Sequence, residues 1–212
     1  MNYESKDAIQ NLILLILLST AGLIGYFALV YLSLYAHYWP DTQIITLIKG
    51  ESLLYRFNKT GLITIQILSH ILLLILPAFL LTKFRRNIST DLNYSGFEWK
   101  YLGYSCLFFI CALPMISLMG SINQQIPLQD WMTDKENQIE ILLKKILNFQ
   151  SPLDWLLTII TVSIIPAIAE EWIFRGIIQN QVLKLFKNHW YALLISAIIF
   201  SAVHFQFAGF LP

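Results

Sequence analysis

The stretch Ala167-Ile168-Ala169-Glu170-Glu171-Trp172-Ile173-Phe174-Arg175-Gly176 closes an apolar run that begins near Leu153. Two adjacent carboxylates and an arginine therefore sit in a segment of membrane-grade hydropathy. Each ionised side chain there costs about 2.5–3.5 kcal/mol on insertion scales, so such residues are functional candidates by default. If the run is helical, Glu171 and Arg175 are four residues apart and face each other. Glu170 lies about 100° round the helix from Glu171 and points elsewhere.

The composition agrees with a membrane setting. Of 212 residues, 57% are hydrophobic and 13% are charged, against about 25% charged in a soluble domain. Several long apolar runs carry this bias, and the net charge of +1 offers nothing to a nucleic acid. Cys106 and Cys111 are about 140° apart on a helix, which suits neither a disulfide nor a metal pair. The polar residues up to Asn11 precede an apolar run too long for a signal-peptide core and without a small-residue cleavage site. That run is expected to be a retained membrane helix.

Working outward, spans are expected near Ile9–Tyr35, Leu62–Thr82, Trp99–Met119, from Ser151 through the glutamates with continuation to Phe186, and Trp190–Phe207. Tyr31, Tyr35, Tyr38 and Trp39 read as an interfacial belt before Pro40. Pro77 is expected to kink the second span. His70, also in that span, reads first as a histidine bonded to a neighbouring helix, with a site residue as the alternative. Lys83, Arg85, Arg86 and Lys100 flank the densest basic loop, which places it and the amino terminus on the cytoplasmic side. Between Ser121 and Gln150, Pro127 ends an irregular piece and Thr133-x-x-Glu136 has the form of a capping box. Ile139, Leu142, Leu143, Ile146 and Leu147 then form a stripe too short to span, as in an interfacial helix. Ser151, Pro152 and Asp154 start the next helix as cap, first turn and acid. Pro166 leaves the Val162 carbonyl without its usual donor just ahead of Glu170. The fold class expected is all-α. It is a polytopic membrane helix bundle of about five transmembrane helices plus one amphipathic interfacial helix, forming a single integral membrane domain over 1–212.

The intramembrane polar set is small: Glu170, Glu171, Arg175, His204 and His70. A carboxylate and a histidine converging in a low-dielectric cavity can hold and deprotonate water. The same pair, Glu170 and His204, could instead supply two zinc ligands. A structural alternative stands beside both: Glu171–Arg175 as an intrahelical ion pair and Glu170–His204 as a hydrogen-bonded pair joining helices. No phosphate loop and no serine or cysteine constellation competes.

Glu170-Glu171-x-x-x-Arg175, followed by Phe200-x-x-x-His204 on the next span, resembles the CPBP family of intramembrane proteases, the Abi or type II CAAX prenyl endopeptidases. The resemblance is strongest over about 151–212. It implies peptide-bond hydrolysis within a membrane, with a peptide or prenylated protein as substrate and lipid as the surroundings. It assigns Glu170 as the general base, His204 as its partner in holding water, and Glu171 and Arg175 as supporting residues. The family has been described both as metalloproteases, with zinc, and as metal-free glutamate proteases. Bacterial relatives are linked to bacteriocin self-immunity, which points to a bacterial inner membrane.

The family's third motif, a histidine followed four residues later by Asn or Asp, has no counterpart after His204. His37, His70 and His189 precede the second motif, and only His37 has an acid four residues on, Asp41 in a loop. With about five spans where the family has near eight, the expectation is a truncated and incomplete protease. The other function classes that fit the same residues are a non-catalytic membrane adaptor or immunity protein, and a small transporter relaying protons through Glu170 and His204.

Overall fold

The structure, a computed structural model, describes residues 3–38, 57–85, 87–88 and 98–204. The side chains of Tyr35 and Tyr38, all of Trp39 and Pro40, most of the 41–61 connection, Arg86 and everything after His204 lie outside the described residues. Among those described there is no strand, and six helices carry the chain. They are α1 (Tyr3–Tyr38), α2 (Lys59–Phe84), α3 (Trp99–Asn123), α4 (Asp130–Ile146), α5 (Pro152–Phe186) and α6 (His189–Val203). Four of them, α1 (as Glu4–Ser33), α2, α3 and α5, are long and apolar enough to cross a membrane by length and composition. The fifth expected span appears as α6, a shorter apolar helix of 15 residues within the described chain. The all-α membrane bundle is thus the fold of the chain.

The chain forms two compact units, residues 1–92 with 140–196, and residues 93–139 with 197–212. The first is built on α1, α2 and α5. Its core comes from Ala8 and Leu15 on α1, Leu62, Ala78 and Leu81 on α2, and Ala169, Ile173, Ile177 and Val182 on α5. Lys59 at the start of α2 meets Asp154 at the start of α5 (Nζ–Oδ2 2.8 Å), so these two helices run in the same direction. In the second unit, α3 turns nearly all its large apolar side chains outward, Trp99, Tyr104, Phe108 and Ile110 among them. Such a surface suits lipid rather than water.

The helix ends follow local chemistry. Ser151 caps α5 by accepting the Asp154 N–H at 3.1 Å, with Pro152 in the first turn. Asn58 caps α2 by accepting the Gly61 N–H at 2.8 Å. The capping box expected at Thr133 does not form. α4 begins three residues earlier, at Asp130, and Thr133 sits inside it with its hydroxyl directed to the Gln129 carbonyl. The start of α1 also differs from the expectation, because residues up to Asn11 are helical from Tyr3 instead of forming a polar lead-in. Tertiary contacts explain this. Asn11, fully buried, accepts from Arg85 Nε at 2.7 Å and donates to Gln181 Oε1 at 3.1 Å. Asp7 meets Asn87 and Arg85 one turn earlier.

Both prolines expected to disturb helices follow a short wide turn with i→i+5 hydrogen bonding. These turns are Ile71–Ile75 before Pro77 and Ile160–Ile164 before Pro166. Pro77 brings no N–H, so the Leu73 carbonyl one turn back lacks its α-helical donor. Ser19 on α1 supplies a substitute, donating to Leu73 O at 3.2 Å. Gly22, one turn along, lets α1 close onto the neighbouring Leu72 carbonyl. A methyl group there would stand 2.0 Å from Leu72 O. A neighbouring helix thus repairs the break, as membrane helices require.

Candidate functional site

Two polar clamps set the relative height of α2 and α5. At one end Lys59 binds Asp154, donates to the Asn148 carbonyl at 2.9 Å and lies over the Phe149 ring. At the other, Asn11 of α1 links Arg85, just past α2, to Gln181, near the end of α5. His70 lies on α2 between them, roughly 16 Å along the axis from Lys59 and roughly 22 Å from Arg85 at 1.5 Å per residue. Glu170 lies at the same level on α5, with its Oε1 3.9 Å from His70 Nε2. Their side chains are 22% and 16% exposed. A carboxylate and an imidazole therefore meet midway between the clamps, inside an otherwise apolar bundle.

The adjacent glutamates diverge as the helix period requires. Glu171 turns outward and pairs with Arg175 at 3.3 Å, the two side chains being 60% and 73% exposed. From Glu171 to Gln179 the helix is again the wider i→i+5 form. Turns of this kind recur at functional sites. Here the change of helix type falls between the two carboxylates.

His70 is held by its own helix. Its Nδ1 is 2.8 Å from the Gln66 carbonyl. A carbonyl only accepts, so Nδ1 carries the proton and a neutral ring offers its Nε2 lone pair toward Glu170. His204 follows α6 and belongs to the second unit. It uses the same device: Nδ1 is 2.7 Å from the Phe200 carbonyl, and its ring lies against the Phe200 ring at 4.4 Å between centroids. The four-residue spacing of Phe200 and His204 thus has a physical content. One residue sets the imidazole tautomer with its backbone and the ring position with its side chain.

The structure accordingly brings together Glu170 with His70, and Glu171 with Arg175. Sequence reasoning gave His70 the role of an inter-helix histidine. It did not foresee the partner, because only the packing of α2 on α5 supplies it. A catalytic zinc takes three protein ligands, and among the described residues no group of three His, Cys, Asp or Glu side chains converges. Glu170 and His70 are two such side chains, one short of that set.

Residues 152–212 match the model of the family described as type II CAAX prenyl endopeptidase Rce1-like. No curated protein and no solved structure matches the chain. The matched segment holds the glutamate pair, Arg175, Phe200 and His204, and it opens at Pro152, the first residue of α5. Over this segment, less than a third of the chain, the chain is similar to the type II CAAX prenyl endopeptidase Rce1-like family.

Proposed function

We propose that the chain is an intramembrane endopeptidase of the CAAX prenyl protease type, with Glu170 as general base. One observation carries this best: the Glu170 carboxylate turns into the bundle toward an imidazole while its neighbour Glu171 is spent on an outward ion pair. In the reaction, Glu170 takes a proton from water as the water oxygen bonds to the scissile carbonyl carbon. The C–N bond then breaks and the same proton passes from Glu170 to the leaving amine. The second family motif, not the geometry, brings His204 into the proposal as the partner that steadies the water. Glu171 and Arg175 hold the helix turn that presents Glu170. The substrate class is a peptide or prenylated protein reached from the lipid, and the membrane is taken to be a bacterial inner membrane.

The test uses the purified chain in liposomes with a fluorogenic peptide ending in a farnesylated CAAX sequence, and its unprenylated twin. Glu170→Gln is expected to lower turnover by about 10²–10⁴-fold, the usual range for a general base, without altering membrane insertion. Glu171→Gln is expected to reduce turnover less. Equal cleavage by wild type and Glu170→Gln would refute the assignment. A wild-type chain that binds but never cleaves would leave a non-catalytic adaptor in its place.

A further inference from the structure

His70 lies outside the matched segment 152–212 and outside both motifs. Its ring nonetheless has the orientation of a working group. Nδ1 is committed to the Gln66 carbonyl at 2.8 Å, so in the neutral ring Nε2 is the acceptor, 3.9 Å from Glu170 Oε1. A scaffold pair would close to about 2.7–3.2 Å. At 3.9 Å the two atoms instead suit a common partner. One water roughly 2.8 Å from each would see them at an angle of roughly 90°, near the spread of its own two O–H bonds. We propose that His70 is a water-binding residue of the hydrolytic site. Nε2 accepts one O–H of the water while Glu170 removes the other proton, which turns the oxygen lone pair toward the substrate carbonyl. The imidazole gains no proton, and the bonds made and broken are those of the hydrolysis above. This inference rests on Glu170 being the general base.

Two clamps and the wide turn beginning at Ile71 hold His70 at this height, so the pairing comes from the fold and not from one flexible rotamer. Removing one preorganised hydrogen-bonding partner from a reacting oxygen typically costs about 10²–10³ in kcat. His70→Leu is therefore expected to lose kcat by roughly that factor, with KM within about twofold. His70→Gln keeps an acceptor oxygen near the Nε2 position and should recover at least about tenfold of the loss. A purely structural histidine would show neither the kcat-only effect nor the rescue, once turnover is expressed per folded molecule.

The experiment measures kcat and KM of wild type, Glu170→Gln, His70→Leu and His70→Gln on the farnesylated CAAX peptide in liposomes. Abolition by Glu170→Gln together with an unchanged His70→Leu would overturn the role of His70 and leave the base intact. Full activity in Glu170→Gln, or none in wild type, would remove the base and this inference with it. ¹⁵N NMR of wild type, with the His70 signal identified by its loss in His70→Gln, reads the protonation of the wild-type ring directly. The proton is expected on Nδ1 with Nε2 accepting a hydrogen bond, and a proton on Nε2, in the neutral ring or in the imidazolium, would overturn the proposal.

Discussion

Replacing Gly22 by alanine tests the contact on which the active level of α2 depends. The added Cβ would stand 2.0 Å from Leu72 O and 2.9 Å from Leu72 C. Both are backbone atoms inside a helix, so no rotamer change relieves the clash. Real Cβ contacts do not fall below 3.0 Å, and α1 must retreat by at least about 1 Å. A gap of that size forfeits up to about half of each dispersion well, itself about 0.1–0.2 kcal/mol. For a seam of about 40 atom pairs, the contact set of one buried leucine, the loss is about 2–4 kcal/mol. The Ser19 hydrogen bond to Leu73 O stretches with it, adding about 1 kcal/mol. Better helix propensity returns about 1 kcal/mol, so the net destabilisation is about 2–4 kcal/mol.

Gly25 provides the control. It lies on the same helix three residues on, and nothing stands within 4 Å of its added Cβ. Gly25→Ala should stabilise by about 0.5–1 kcal/mol through propensity alone. Equilibrium unfolding in mixed micelles, titrated with SDS, measures both substitutions in one assay. The expected contrast is about 3–5 kcal/mol, the sum of the two opposite effects. Equal behaviour of the two variants would refute the close approach of α1 to α2 at Leu72.

Four further outcomes follow from other contacts. Asn11→Leu leaves Arg85 Nε and Gln181 Oε1 without the partner they share. It should cost about 1–3 kcal/mol in the same unfolding assay, the range for one buried polar group that loses its partner. Ser151→Ala removes the cap of α5 and should cost about 1 kcal/mol. Lys187 ends α5 with φ of 52°, the left-handed conformation that only glycine adopts without strain. Lys187→Gly should stabilise by about 1 kcal/mol, as a relieved left-handed residue does, read as a higher midpoint. Ser19→Ala should cost about 1 kcal/mol and leave Gly22 packing in place, measured against Gly22→Ala.

What was legible in the sequence was what one helix decides by itself. Glu171 and Arg175 meet because four residues make a turn, and Glu170 turns away for the same reason. The start of α5 was legible because Ser151, Pro152 and Asp154 are local signals. Thr133 misled because a capping box is also only local. The chain upstream was already helical from Asp130, so the hydroxyl found the Gln129 carbonyl at the head of the helix. The polar start of α1 was illegible for the opposite reason. Asn11 and Gln181 are 170 positions apart, and nothing in either neighbourhood announces the other.

The same distinction separates the two site histidines from their surroundings. A hydrogen bond from Nδ1 to the carbonyl four residues back is open to a histidine on any regular helix, and both His70 and His204 make it. It fixes which nitrogen offers a lone pair but not what that lone pair meets. For His70 the answer comes from the height of α2 against α5. Lys59–Asp154 sets that height at one end and Arg85–Asn11–Gln181 sets it at the other. Substitution in either clamp should therefore act on the Glu170–His70 pair without touching it. Lys59→Met, which abandons the Asp154 carboxylate at the near end, should lower turnover along with stability, whereas Glu171→Gln at the outward face should leave the spacing of the pair unchanged.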